Sequence, residues 1–115
     1  MTIHMGISKD GKIKITNGPM RIRKEPLEKW LARNRDAILV KLIGHPEPSA
    51  PCSVGHLCRI EADGQNYYVF IGNHLIGQLP EEAITFAEQV NYTPDILVAI
   101  VGKVEGNDVF IYIAE

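Results

Sequence analysis

Apolar and polar positions alternate with period two through most of the chain, the pattern of strands with one buried face. Asp10-Gly11 separates two such segments, Thr2–Ser8 and Lys12–Thr16, and an Asp-Gly pair tolerates the positive φ angles of a tight hairpin turn. The same pair recurs at Asp63-Gly64, between Leu57–Ala62 and Gln65–Ile71. Gly72-Asn73 divides Tyr67–Ile71 from His74–Leu79, and Gly106-Asn107 divides Ile96–Val104 from Asp108–Ala114. Ile38–Ile43 reads as a further buried strand.

Two segments change period. Pro26 suits a first helical position, and Leu27, Trp30 and Leu31 follow at i, i+3 and i+4, predicting a helix that ends near Asp36. Pro80 opens a second helix, in which Glu81 and Glu82 favour the positive N-terminal end and Ala83, Phe86, Ala87 and Val90 form one apolar stripe. Asn91 and Pro94 stop it. About seven short strands with two helices predict an α+β domain built on a small, strongly bent antiparallel sheet or open β-barrel. In Ile96–Val101 and Val109–Ile113 both alternating faces are apolar, so each strand needs cover on two sides. A central position between a barrel interior and a packed helix meets that need; a homodimer through the C-terminal strand is the alternative.

Charge is unevenly distributed. The 115 residues carry a formal net charge of only −2. Residues 1–41 hold ten basic against four acidic residues, a net +6, and residues 42–115 hold two against ten, a net −8. With 45% hydrophobic and 23% charged residues the composition is that of one ordinary globular domain, neither collagenous nor low-complexity. No apolar run approaches the roughly 20 residues of a membrane span, and the N-terminus lacks the continuous apolar stretch of a secretory signal, so a cytoplasmic setting is expected. There Cys52 and Cys58 are expected as reduced thiols.

Gly72-Asn73-His74-Leu75-Ile76-Gly77-Gln78-Leu79-Pro80-Glu81-Glu82-Ala83, followed by an amphipathic helix and the strand Asp95–Glu105, resembles the second half of HIRAN domains. In physical terms Gly77 permits a bulge or close backbone approach where the strand breaks toward the helix that Pro80 begins. The resemblance covers residues 72–115. It implies a small bent sheet or open barrel and an association with single-stranded DNA ends. The polar run that forms the DNA-end pocket in that family is not matched: the corresponding stretch, Ala62–Tyr68, is a short hairpin, in which Tyr67 or Tyr68 is the candidate aromatic for stacking a base. On this reading the chain is a single domain, 1–115, with a basic hairpin and helix at 1–36 and a HIRAN-like β-rich core at 37–115.

The candidate chemistry follows from the basic segment. Arg21, Arg23 and Lys24 precede the Trp30 helix, on which Lys29 and Arg33 sit, with Arg35 just beyond; Lys12 and Lys14 of the hairpin extend the set. Such a face neutralises phosphates in a salt-dependent, sequence-independent way. The competing account is a solvated helix whose Glu25 and Glu28 pair with nearby bases. Along Gln65–Ile71, Tyr68 and Phe70 share one face and Tyr67 takes the other. The cluster His45, Cys52, His56 and Cys58 lacks the paired Cys-x2-Cys spacing of structural zinc, and Cys52 with His56 lacks an orienting acid or oxyanion-hole loop, so no metal, cofactor or catalytic role is expected. The expectation is a non-catalytic nucleic-acid-binding or nucleic-acid-associated module. Its alternative is a small protein–protein adaptor or inhibitor, of mobile-element origin, that docks by charge complementarity.

Overall fold

The structure is a computed structural model that describes the backbone of residues 3–7 and 13–17, and residues 22–115 with their side chains. Strands β1 (Ile3–Ile7) and β2 (Ile13–Asn17) pair antiparallel with Ile7 opposite Ile13, as the alternation predicts; the Asp10-Gly11 turn lies outside the described residues.

The glycine-containing pairs farther along join neighbouring strands. Gly64 and Gly106 take φ of +63° and +59°, a region in which a β-carbon is disfavoured. They connect β4 (Leu57–Asp63) to β5 (Asn66–Ile71) and β7 (Val98–Glu105) to β8 (Asp108–Ala114). With β3 (Ile38–Lys41) and β6 (His74–Gln78) these strands form one antiparallel six-stranded sheet in the order β3-β8-β7-β4-β5-β6. The sheet is open and strongly bent, because its two ends meet at a single point: Ile43 and Gln78 exchange two backbone hydrogen bonds, each 2.9 Å.

Helix α2 (Glu81–Gln89) follows Pro80 and sinks Ala83 and Ala87 into the core formed by Val69, Ile71, Ile76, Val101, Ile111 and Ile113. Helix α1 (Leu27–Arg33) covers the opposite face of the sheet, where Trp30 packs with Ile100 and Ala114 against Leu57 and Tyr112. These two covers account for the doubly apolar strands. In β8, Val109, Ile111 and Ile113 face the interior, while Tyr112 and Ala114 lie beneath α1. Because β8 runs between β3 and β7, the C-terminal strand offers no unpaired backbone edge to a second copy.

Several boundaries differ, and β3 ends at Lys41 rather than Ile43, as an edge strand with Leu39 and, beyond it, Ile43 exposed, not a buried one. α1 stops at Arg33 rather than near Asp36, because Asn34 turns back and donates its side-chain amide to the Trp30 carbonyl at 2.8 Å. β7 starts at Val98 rather than Ile96, since Pro94–Ile96 forms a 3-10 turn that leaves Ile96 exposed. Between β5 and β6 the register shifts so that Val69 faces Gly77 and Phe70 faces Leu75. The irregularity therefore falls at Ile76, next to Gly77, the expected place of a bulge or close backbone approach. A β-carbon there would lie 2.8 Å from Cβ of Leu42, so the backbones of β6 and the segment after β3 approach only because the residue is glycine. Among the described residues no helix is long and apolar enough to cross a membrane.

Candidate nucleic-acid interface

The alternation of β4 divides its residues between two environments. Ile60 is buried in the core, whereas Arg59 and Glu61 face outward. Register then decides their neighbours, because directly opposite residues of an antiparallel pair share a face. Arg59 lies opposite Phe70 and Glu61 opposite Tyr68. The Arg59 guanidinium carbon sits 5.1 Å from the centre of the Phe70 ring, a cation–π arrangement, while its Nε is ion-paired with Glu61 Oε1 at 3.1 Å. Tyr68 pairs across the other side with Gln78, whose side-chain amide donates to Asn66 Oδ1 at 3.1 Å. The outer face of β4 and β5 thus presents Phe70 and Tyr68, each half-buried, in a polar frame.

Tyr67 has the opposite parity, shared with Val69 and Ile71, and packs against the core. Of the two candidate stacking residues, Tyr68 stands beside Arg59 and Phe70 and Tyr67 does not.

The basic segment reaches this face through a strand-like addition before α1. Lys24 forms an antiparallel bridge with His56; Leu57 donates its N–H to the Arg23 carbonyl at 3.0 Å, and Glu25 donates to the Gly55 carbonyl at 2.8 Å. This register sets Arg23 opposite Leu57, two residues before Arg59 on the same strand face. From α1, Arg33 lines the same depression as Arg59, about 380 Å³, with Trp30, Leu57, Glu25 and Asp95. Arg33 is ion-paired with Glu25. That hydrogen bond holds the Glu25 carboxyl below its ordinary range, with the Lys29 charge adding to the effect, and raises the Arg33 guanidinium in turn. Lys24, Lys29 and Arg35 are exposed, in the added strand, on α1 and in the turn after it. Arg21 and Lys12 lie outside the described residues, as does the side chain of Lys14.

The structure therefore sets Arg59 beside Phe70, with Glu61 opposite Tyr68, and places Arg33 in the depression that Arg59 shares with Glu25 and Asp95, while Arg23 stands opposite Leu57 on the same strand. Arg59 was not singled out by the sequence reading. Its signal lay in the split alternation of β4, with Cys58 and Ile60 on one side and Arg59 and Glu61 on the other.

The other polar candidates each have separate roles. His56 is only 8% exposed; its Nδ1 accepts the Ser53 N–H at 3.1 Å and its carbonyl accepts the Val101 N–H at 2.9 Å, so it fastens the added strand to β7. Burial, and then the Lys24 charge, hold its pKa below the ordinary histidine value. Cys52 and Cys58 are free thiols packed against the core; burial raises both, and their mutual proximity raises Cys58 further. His45 contacts the Asn107 carbonyl and His74 faces Glu47. Among the described residues no group of three or more His, Cys, Asp or Glu is assembled to hold a metal. No family model, no curated protein and no solved structure matches this chain, so its function is argued from the face built by Arg59, Phe70, Tyr68 and Arg33.

Proposed function

We propose that the protein is a non-catalytic nucleic-acid-binding module that acts on single strands, in the cytoplasm, with a HIRAN-like arrangement of residues 37–115. The observation that carries this reading is the Arg59 guanidinium lying over Phe70, beside Tyr68, in a depression shared with Arg33. Aromatic rings on a curved sheet stack bases of any sequence, and guanidinium groups beside them neutralise the backbone. The carboxylates that now hold Arg33 and Arg59 act as placeholders which a phosphate displaces, keeping both side chains extended over the face.

Fluorescence anisotropy with labelled single-stranded and duplex oligonucleotides tests the proposal. Binding is expected at low salt, stronger for single strands, and weakening steeply as salt rises. No binding to either form at low salt overturns it. A second reading, a protein-binding adaptor docking by charge complementarity, rests on Arg23 and Lys24, which are exposed in the added strand while Arg33 and Arg59 are ion-paired with Glu25 and Glu61. It expects Arg23→Glu with Lys24→Glu to abolish capture of an acidic protein partner while the fold stays intact.

A further inference from the structure

The two ends of the sheet are finished differently. At β6, the Glu47 carboxylate accepts the Leu75 N–H at 2.7 Å, and the Glu47 N–H donates to the Leu75 carbonyl at 3.0 Å, so the loop after β3 occupies that edge. Among the described residues β3 has no such cover along its length. Leu42 donates to the Val109 carbonyl at 2.9 Å, which fixes the alternation: residues 38, 40 and 42 turn their amides toward β8. Leu39 and Lys41 turn theirs the other way, as Ile43 does to reach Gln78, and among the described residues no strand lies across from them.

Beside this open edge runs a groove of about 500 Å³ between β3 and α2. Its floor is Ile38 and Phe86, both packed against the core, and its rim carries Glu81 and Glu82. From Glu81 to Gln89 the helix contains no lysine or arginine, so nothing on it balances those carboxylates. Lys41, the one cation of β3, is engaged by Asp108 at 3.6 Å.

We propose that the β3 edge and this groove bind an extended peptide segment in which an apolar residue and a lysine or arginine stand two positions apart, on one face of the added strand. An added strand satisfies the amides and carbonyls of Leu39 and Lys41 and turns alternate side chains to opposite faces of the sheet. One set faces Ile38, Phe86 and the acidic rim, and combines apolar with basic residues. The acidic rim, on that same side of the sheet, selects a basic residue two positions along from an apolar one and rejects an acidic one. This surface is separate from the Arg59 face and stands or falls without it.

The test is titration of isotope-labelled full-length protein, at low salt, with a short synthetic peptide in which valine and lysine take turns at every second position with threonine between them, followed by amide chemical shifts. Saturable shifts at Leu39, Lys41 and Phe86 are expected. The same peptide with glutamate in place of lysine is expected to bind at least roughly tenfold more weakly, and the protein variant Glu81→Lys, Glu82→Lys to lose roughly threefold to tenfold for the lysine peptide, the range of two exposed ion pairs. Absence of shifts with the lysine peptide, or equal binding of both peptides, overturns the proposal. So do concentration-dependent shifts of the same amides without peptide, which assign the edge to a second copy of the chain.

Discussion

Glu47 and Leu75 are joined twice, once from the Glu47 carboxylate to the Leu75 N–H at 2.7 Å and once from the Glu47 N–H to the Leu75 carbonyl at 3.0 Å. A glutamate in a proline-rich loop thus takes the place of a neighbouring strand, which denies the edge of β6 to other chains. Glu47→Ala removes one of the two bonds and leaves the Leu75 amide to water. A loss of about 1 kcal/mol in urea denaturation is expected, with increased aggregation during refolding.

Adjacent tyrosines separate packing from binding. Tyr68→Ala is expected to weaken binding of a single-stranded oligonucleotide about tenfold, the scale of one lost base stack, with little change in the denaturation midpoint. Tyr67→Ala removes a ring packed against the core and is expected to cost about 2 kcal/mol of stability. Paired denaturation and anisotropy measurements distinguish the two; a Tyr68 variant that unfolds while retaining affinity contradicts the assignment.

Gly102 is the extra residue of the β7 bulge, lying between Val101, which faces Ile111, and Lys103, which faces Phe110. A β-carbon there would sit 2.5 Å from Cδ2 of Tyr112. Gly102→Ala is therefore expected to destabilise by about 1–3 kcal/mol, and Tyr112→Ala in the same background to return part of that loss, since the two effects share one contact. Additive losses in thermal denaturation would argue against the clash.

Acidification acts through His56. Its pKa is held down in the folded state, so the unfolded chain takes up the proton first and stability falls as pH drops below the ordinary histidine value of about 6.5. The proton also competes with the bond that Nδ1 accepts from the Ser53 N–H. His56→Gln is expected to flatten the stability profile between neutral pH and pH ~5. The groups facing it are Lys24 and Ser53, and removing the Lys24 charge by Lys24→Gln brings the folded-state value back toward the ordinary one and is expected to make that loss smaller.

Much of the architecture was legible because its signals are local. Asp63-Gly64 and Gly106-Asn107 turn where the alternation pauses, Pro26 and Pro80 precede helices, and the doubly apolar β7 and β8 do lie between two covers. What escaped is non-local. Nothing near Lys24 announces His56 as its partner, and nothing near Glu47 announces Leu75. Arg59 alone reads as an ordinary solvent-facing charge; only the register that sets it opposite Phe70 makes it a candidate for function. The choice between Tyr67 and Tyr68 was in reach, since Tyr67 shares its parity with Val69 and Ile71, the more apolar set.

The meeting of Ile43 and Gln78 gives the sheet a line along which it can part. Two hydrogen bonds hold that contact, whereas Val101 and Ile111 sit in the middle of paired strands within the core. Amide hydrogens at Ile43 and Gln78 should therefore exchange with solvent through small local openings, while those of the central strands wait for the whole domain to unfold. On that expectation the line between Ile43 and Gln78 is where the domain first opens.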